Sequence, residues 1–305
     1  MKAWNRFKKS YMLYSFKRDP IAISSFAVLV VLAVISMLAP VIAPYNAYDT
    51  ATFDIMDAEI PPSWMEGGSE MFLLGTDIQG RDLLSTMIFG LRVSLLIGVG
   101  AVLFQAFVGI LVGLISGFFG GKLDSFLMRL ADIQFSIPYL IVAIFAMAIF
   151  KLAFGIGRYE DLAEPLLIII IGLSQWPHYA RTVRASVLGE KNKEYVEAAR
   201  VIGINRSRIM FRHVLPNTLT PVLVISTIQV ANAIMSEAAL SFLGLGMPIS
   251  KPSLGSLIRA GFEYIFSGSW WITFFPGILL VIVILVIILL GDWLRDVLNP
   301  KLYKG

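Results

Sequence analysis

The sequence contains no cysteine and only two histidines, His178 and His213. Without cysteine, the chain can form neither disulfide bonds nor thiolate metal sites. The histidines form no H-E-x-x-H motif, and no G-x-S-x-G nucleophile motif is present. A G-x4-G-K-[ST] phosphate-binding loop is also missing. These absences argue against an enzyme, and we expect no catalytic residue, no metal site and no cofactor bound by this chain.

Charged residues are scarce as well. They make up 15% of the 305 residues, whereas 57% of the residues are hydrophobic; a soluble domain has about 25% charged and about 45–50% apolar residues. The apolar residues form runs that approach or exceed the roughly 20 residues needed to cross a bilayer. Six such runs are Ile21–Ala43, Val93–Phe119, Phe126–Phe150, Pro165–Val187, Thr220–Met247 and Ile272–Leu290. The sequence therefore predicts an all-α polytopic membrane protein with six transmembrane helices.

The distribution of charge predicts how these helices are oriented. Basic loops stay in the cytoplasm. Six basic residues and one acidic residue precede the first run, and the segment Arg181–Arg212 contains eight basic and three acidic residues. The loop Pro44–Arg92 contains eight acidic and two basic residues. We expect both termini inside and the acidic loop outside, so that the net charge of +4 reflects topology and not nucleic-acid binding.

Several residues inside the apolar runs have packing roles in this interpretation. Glycines four residues apart share one helix face and let another helix approach closely. An ion pair between Arg129 and Asp132 is expected near the inner end of the third span, and Pro138 should weaken or kink that helix. The glycines of the packing face are Gly109, Gly113 and Gly117.

A polar stripe runs along the fifth span. Its members fall within about a third of the helical circumference, and they either line an aqueous path for a peptide or form hydrogen bonds between helices. The stripe consists of Ser226, Gln229, Asn232, Ser236 and Glu237.

The basic segment before this span is predicted to form two short helices separated by a turn. Tyr195, Ala199 and Ile202 form an apolar stripe on the first helix, and Gly203 suits its left-handed end. Asn205 should cap the second helix. Pro216 should end the second helix. The expected ion pairs at helical spacing are Lys193–Glu197 and Glu197–Arg200.

A longer pattern covers the same segment. Glu197-Ala198-Ala199 is followed by three residues, then Gly203, nine residues, His213 and Leu215-Pro216. This pattern resembles the EAA loop of bacterial ABC importer permeases, with His213 where the family has isoleucine. A second Glu-Ala-Ala at Glu237 lacks the remaining spacing, so the glycine and the Leu-Pro pair make the first copy specific.

The resemblance extends over nearly the whole chain, to the C-type subunits of dipeptide, oligopeptide and nickel importers. Pro61–Gly68 looks most similar to the dipeptide branch. The other segments that are similar are FKRDPIAISSF before the first span, Leu74–Gly98, Phe118–Ile133, Leu240–Pro248 and Gly291–Leu302.

The resemblance implies a type I ABC importer fold, similar to that of the methionine permease, in the bacterial inner membrane. Its partners would be a second homologous permease, two ATP-binding subunits that use ATP and Mg²⁺, an extracytoplasmic substrate-binding protein and membrane lipid. The implied ATPase-coupling residues are Glu197, Ala198, Ala199, Gly203, Leu215 and Pro216.

The resemblance also divides the chain. Residues 1–60 hold the cytoplasmic start, the first span and the beginning of the external loop, and 61–92 hold the rest of that loop. The permease domain covers 93–291 with its coupling loop at 190–217, and a cytoplasmic tail follows at 292–305.

The sequence leaves two alternatives open. Near relatives also import nickel chelates, glutathione and other small solutes, and the substrate is selected largely by the binding protein. An ion-gradient-driven transporter is a more distant alternative, because such a protein would have no use for a coupling loop.

Overall fold

The computed structural model describes residues 11–49 and 53–298. These residues form helices joined by turns and contain no β-strand, which confirms the all-α class. The longer helices are α1 (Tyr11–Arg18), α2 (Pro20–Met37), α3 (Leu83–Phe119), α4 (Gly121–Ser136), α5 (Tyr139–Glu190), α6 (Glu194–Val201), α7 (Leu219–Phe242), α8 (Leu254–Phe262) and α9 (Trp271–Val297). Short helical turns lie at Ala39–Ile42, Ile55–Asp57, Arg206–Arg208, Ile209–Val214, Leu215–Thr218 and Ile265–Ser267.

Five helical stretches in the described residues are long and apolar enough to cross a membrane: α2, α3, α5, α9 and the continuous segment Arg206–Phe242 that ends with α7. Large apolar side chains remain exposed on them, for example Val31, Leu103 and Ile282. Surfaces of this kind are suited to lipid or to a partner helix. The multi-pass membrane architecture is thus confirmed.

The 52-residue helix α5 folds back on itself. A straight helix would place Arg181 roughly 60 Å from the start of α5, yet its guanidinium lies 2.6 Å from Asp132 in α4. The chain must reverse inside α5, and Gly155, with φ of 80° and ψ of 168°, is its non-helical residue. We call 139–154 the first arm and 156–190 the second arm. Two arms are compatible with six crossings, and the count of crossings and their orientation stay predictions.

The predicted third span, Phe126–Phe150, is wrong in its first half. Residues up to Ser136 belong to α4, which ends where Ile137 and Pro138 adopt extended backbone. The residue before a proline is disfavoured in the helical region, so Pro138 separates two helices instead of kinking one. The segment 61–92 is also not all loop, because α3 already begins at Leu83.

The core lies where α3 packs against the second arm of α5. A Cβ atom placed on Gly109 would lie 2.4 Å from the Cβ of Tyr179, and one on Gly113 would lie 2.4 Å from the carbonyl oxygen of Ala180. A Cβ on Gly117 would lie 2.8 Å from the Cβ of Val187. These distances are shorter than van der Waals contact, so only glycine permits the close packing that the four-residue spacing predicts.

Candidate functional site

The first helix of the predicted coupling loop is α6, and it ends in a left-handed turn. Gly203 has φ of 83°. Its amide donates to the carbonyl of Arg200 at 3.0 Å, and the amide of Ile204 donates to the carbonyl of Ala199 at 3.1 Å. This pair of bonds is the Schellman motif, which favours glycine at the left-handed position. The predicted helix stop is confirmed.

The buried face of α6 differs from the predicted stripe. Val196 and Ala199 are buried, and they belong to the same core cluster as Ile209 and Val214 of the following segment. Ile202 is 77% exposed. The predicted stripe is therefore confirmed at Ala199 and wrong at Tyr195 and Ile202, which are exposed, because the register of the buried face depends on where the next segment packs.

The predicted ion pairs of α6 are also not formed. Lys193 pairs with Glu190 at the end of α5, and Arg200 donates to the carbonyl of Lys191 at 3.4 Å. The contact with Glu190 raises the pKa of the Lys193 ammonium. Glu197 is left on the exposed face.

The predicted coupling residues divide by exposure. Glu197, Ala198, Gly203 and Pro216 are exposed, whereas Ala199 is buried and Leu215 is half-buried. Nothing lies within 4 Å of a Cβ placed on Gly203. One face of α6 is thus anchored to the core, and the opposite face is open.

The second half of the loop runs directly into the fifth span. The side chain of Asn205 caps its start by accepting from the amide of Ser207 at 3.1 Å, as predicted. The chain then remains helical through Ile209–Val214 and Leu215–Thr218 into α7. Pro216 lies in the first turn of the segment Leu215–Thr218, where a missing N–H is tolerated. The prediction that Pro216 ends the helix is wrong.

The polar stripe of α7 faces other helices of the same chain. Gln229 is buried and donates to Gln105 of α3 at 3.2 Å, and Asn232 donates to Gln229 at 2.9 Å. Ser226 accepts from the hydroxyl of Tyr179 at 3.0 Å. The structure therefore shows hydrogen bonds between helices along the stripe, and a substrate path there stays a prediction.

Glu237, at the far end of the stripe, is fully buried. Its carboxyl accepts from the hydroxyl of Ser94 at 3.0 Å and from that of Ser241 at 2.6 Å. The amide of Leu254, at the start of α8, donates to Ser94 at 3.2 Å. This network joins α3, α7 and α8. Ser94 was not singled out by the sequence, since a lone serine in an apolar run gives no signal of its partner.

Two ion pairs attach α4 to the second arm of α5. Arg184 donates to both carboxylate oxygens of Asp124 at 2.6 and 2.7 Å. Asp124 lies in α4, which is not among the helices apolar enough to span, and the Arg184 bond holds the pKa of its carboxyl below the ordinary value. Asp132 pairs with Arg181, so the predicted Arg129–Asp132 pair is wrong. The partner lies 49 residues ahead, and local spacing cannot reveal it.

The acidic loop before α3 contains a compact turn. Asp77 accepts from the amides of Gln79 and Arg81, and its carboxylate pairs with the buried Arg81 guanidinium. Arg81 also donates to the carbonyl of Ile249 at 2.9 Å. Asp82 caps α3 by accepting from the amide of Ser85 at 2.8 Å. The loop is thereby attached to the segment that follows α7.

The comparisons with known proteins agree along the chain. A family model described as "Binding-protein-dependent transport system inner membrane component" matches residues 109–304, and one described as "N-terminal TM domain of oligopeptide transport permease C" matches residues 10–62. The "Di/tripeptide transport system permease protein DppC" of Pseudomonas aeruginosa (strain UCBPP-PA14) is 38% identical over 94% of this chain and 90% of the relative. The "Oligopeptide transport system permease protein OppC" of Bacillus subtilis (strain 168) is 34% identical over 97% of this chain and 92% of the relative.

A solved structure described as an inward-facing conformation of the MetNI methionine ABC transporter has a TM-score of 0.55 and 21% identity, and the match covers 70% of this chain and 97% of that chain. At this identity the likeness shows the fold alone. Because one family model covers more than half of the chain and the relatives align along nearly all of it, the chain belongs to the binding-protein-dependent transport system inner membrane components and is a multi-pass permease of the inner membrane.

Proposed function

We propose that this permease imports di- or oligopeptides and that ATP hydrolysis by partner subunits drives the transport. The support for the substrate comes from relatives named as dipeptide, di/tripeptide and oligopeptide permeases. A second permease, two ATP-binding subunits and an extracytoplasmic binding protein would complete the importer. ATP and Mg²⁺ would bind to the ATPases.

The proposed coupling mechanism is supported by the open face of α6. Val201 and Ile202 are 87% and 77% exposed beside Glu197 and Gly203. Exposed aliphatic side chains with a polar rim are typical of a protein contact. The opposite face is held by Val196 and the core behind it. A partner that binds the open face would therefore move α6 together with the residues packed against its buried face.

The same geometry allows a movement of α6 to reach the membrane-spanning helices. From Arg206 to Phe242 the chain is helical without an intervening loop, so a displacement at the coupling loop is transmitted to α7. When the ATPases close on ATP, the docked helices would be drawn together. The spans would then change from inward-facing to outward-facing, which is the alternating access that we propose.

Gly203→Asp tests this assignment. A side chain at Gly203 meets open space in this chain, so its cost to folding is the left-handed backbone penalty, about 1 kcal/mol. If α6 seats against an ATPase, the aspartate would disturb that contact. We expect ATP-driven peptide uptake by the reconstituted importer to fall at least about tenfold, which is equivalent to roughly 1.4 kcal/mol. Substrate-stimulated ATPase activity should fall with it.

Gly268→Asp is the matched control. Gly268 also has positive φ, 109°, and nothing lies within 4 Å of a Cβ placed there, but it lies after α8, away from the coupling loop. The control should retain uptake within about twofold, since its cost is the same local strain. Uptake and ATPase stimulation that survive Gly203→Asp unchanged would contradict the coupling role.

A further inference from the structure

A cavity of about 230 Å³ lies at the end of the molecule opposite the coupling loop. It is bounded by the tip of the α5 hairpin, by the segment that follows α7 and by α8. Lys151 and Glu160 enter it from the two arms of α5, and Arg259 enters it from α8. The sequence and the proposed coupling mechanism leave this cavity without a role.

The cavity carries two cations with no carboxylate partner. Among the described residues, no acidic group lies within 4.0 Å of the ammonium of Lys151 or the guanidinium of Arg259, and Glu160 forms no ion pair either. Arg81, near this region, differs in that its guanidinium pairs with the buried Asp77. Two cations facing one space attract an anion.

The walls are positioned by specific contacts. The hydroxyl of Tyr159 donates to the carbonyl of Gly246, which ties the second arm of α5 to the segment after α7. The ammonium of Lys151 lies 5.2 Å from the centre of the Tyr159 ring, a cation–π distance. The guanidinium of Arg259 lies directly over Gly244, where an added Cβ would meet its Nη1 at 2.0 Å. Glycine at this position leaves the room that Arg259 occupies.

We propose that this cavity binds a peptide through its terminal charges as the peptide enters the membrane part of the importer. Lys151 and Arg259 would take the C-terminal carboxylate, because a guanidinium matches a carboxylate with two parallel hydrogen bonds. Glu160, at the rim, would take the N-terminal ammonium. The inference rests on the proposed function, since it names the chemical group by which the permease itself recognises its substrate.

Protection of an engineered cysteine tests the site directly. The sequence has no cysteine, so Ser250→Cys, on the exposed cavity wall, gives this chain a single labelling position. We would measure its reaction with a neutral maleimide in the membrane complex without the binding protein. Ala-Ala should slow labelling, and its C-terminal amide should be at least about tenfold less effective, the expected loss of a charged hydrogen-bond partner.

Variants and a second position control for indirect effects. Arg259→Gln combined with Ser250→Cys should abolish the preference for the free carboxylate, while Lys151→Arg, which keeps the charge, should retain it. Ser267→Cys, exposed beyond α8, should react equally with and without peptide.

Four results would overturn the inference. Equal protection by the free acid and the amide would show that the carboxylate is not recognised. Labelling that is blocked in the assembled importer even without peptide would show that the cavity is a contact with the second permease. If the wild-type importer takes up dipeptide normally but peptide gives no protection at Ser250→Cys, the site is refuted and the proposed function stands. An importer that takes up neither dipeptides nor oligopeptides would refute both.

Discussion

At the scale of single residues, glycines determine how closely α3 approaches the second arm of α5. Positions 109, 113 and 117 each place backbone where any side chain would overlap Tyr179, Ala180 or Val187. Without a hydrophobic driving force between helices in lipid, such close van der Waals contact is what holds spans together. The second arm of α5 also carries Arg181 and Arg184, which pair with Asp132 and Asp124 of α4, so the packing positions α4 as well.

Gly113→Ala should destabilise the protein. The added methyl group would lie 2.4 Å from a backbone oxygen of Ala180, and backbone cannot move aside cheaply, so we expect a loss of about 1–3 kcal/mol. Gly277→Ala is the control, because that glycine lies in α9 with nothing within 4 Å and should gain about 0.5–1 kcal/mol. Thermal unfolding in detergent would compare them, and a stabilised Gly113→Ala would contradict the packing.

At the scale of elements, α4 is an amphipathic helix attached to the second arm of α5. Asp124 and Arg184 are only partly exposed, at 15% and 34% of their side-chain surfaces, while the Asp132–Arg181 pair is more than half exposed on both sides. Exposed pairs contribute about 0–1 kcal/mol. The Asp124 pair is therefore the stronger attachment of α4.

Asp124→Asn should lower stability in a pH-dependent way. The folded pKa of Asp124 lies below its ordinary value because of Arg184. The pair therefore stabilises the fold above the ordinary carboxyl pKa, about 4, and this contribution disappears as the pH falls through the lowered folded pKa.

We expect a loss of about 1 kcal/mol at pH 7 and a smaller difference from wild type below about pH 4. Thermal unfolding of the wild type and of Asp124→Asn, from pH 7 to below about pH 4, would measure this difference in stability. Asp132→Asn should change stability little at either pH, and a pH-independent loss in Asp124→Asn would contradict this account.

The sequence predicted the elements better than their contacts. Run length and composition predicted the long apolar helices, apart from the first half of the third span, and Gly203 predicted the end of α6, because both depend on the local chain. The buried face of α6 could not be predicted, since Val196 is buried by the segment Ile209–Val214 that packs on it. The partner of Asp132 lies 49 residues away. The short helical turns Ile209–Val214 and Leu215–Thr218, which carry the chain past Pro216, were likewise not predicted from local sequence.

At the scale of the whole molecule, the coupling loop and the charged cavity lie at opposite ends of α7. The loop presents an open face to the cytoplasmic side in the predicted orientation, and the cavity lies beside the acidic external loop, to which Arg81 connects it through Ile249. In our proposals, one chain supplies both a surface for the motor and a surface for the substrate. Coupling between them requires the spans to move as connected bodies.

ATP-dependent uptake of a labelled dipeptide by the complete reconstituted importer tests the central claim most directly. We predict accumulation that requires ATP inside the vesicles, persists when an ionophore removes the ion gradients, and fails with Gly203→Asp. Accumulation that continues without ATP and stops with the ionophore would show a secondary transporter and contradict the account.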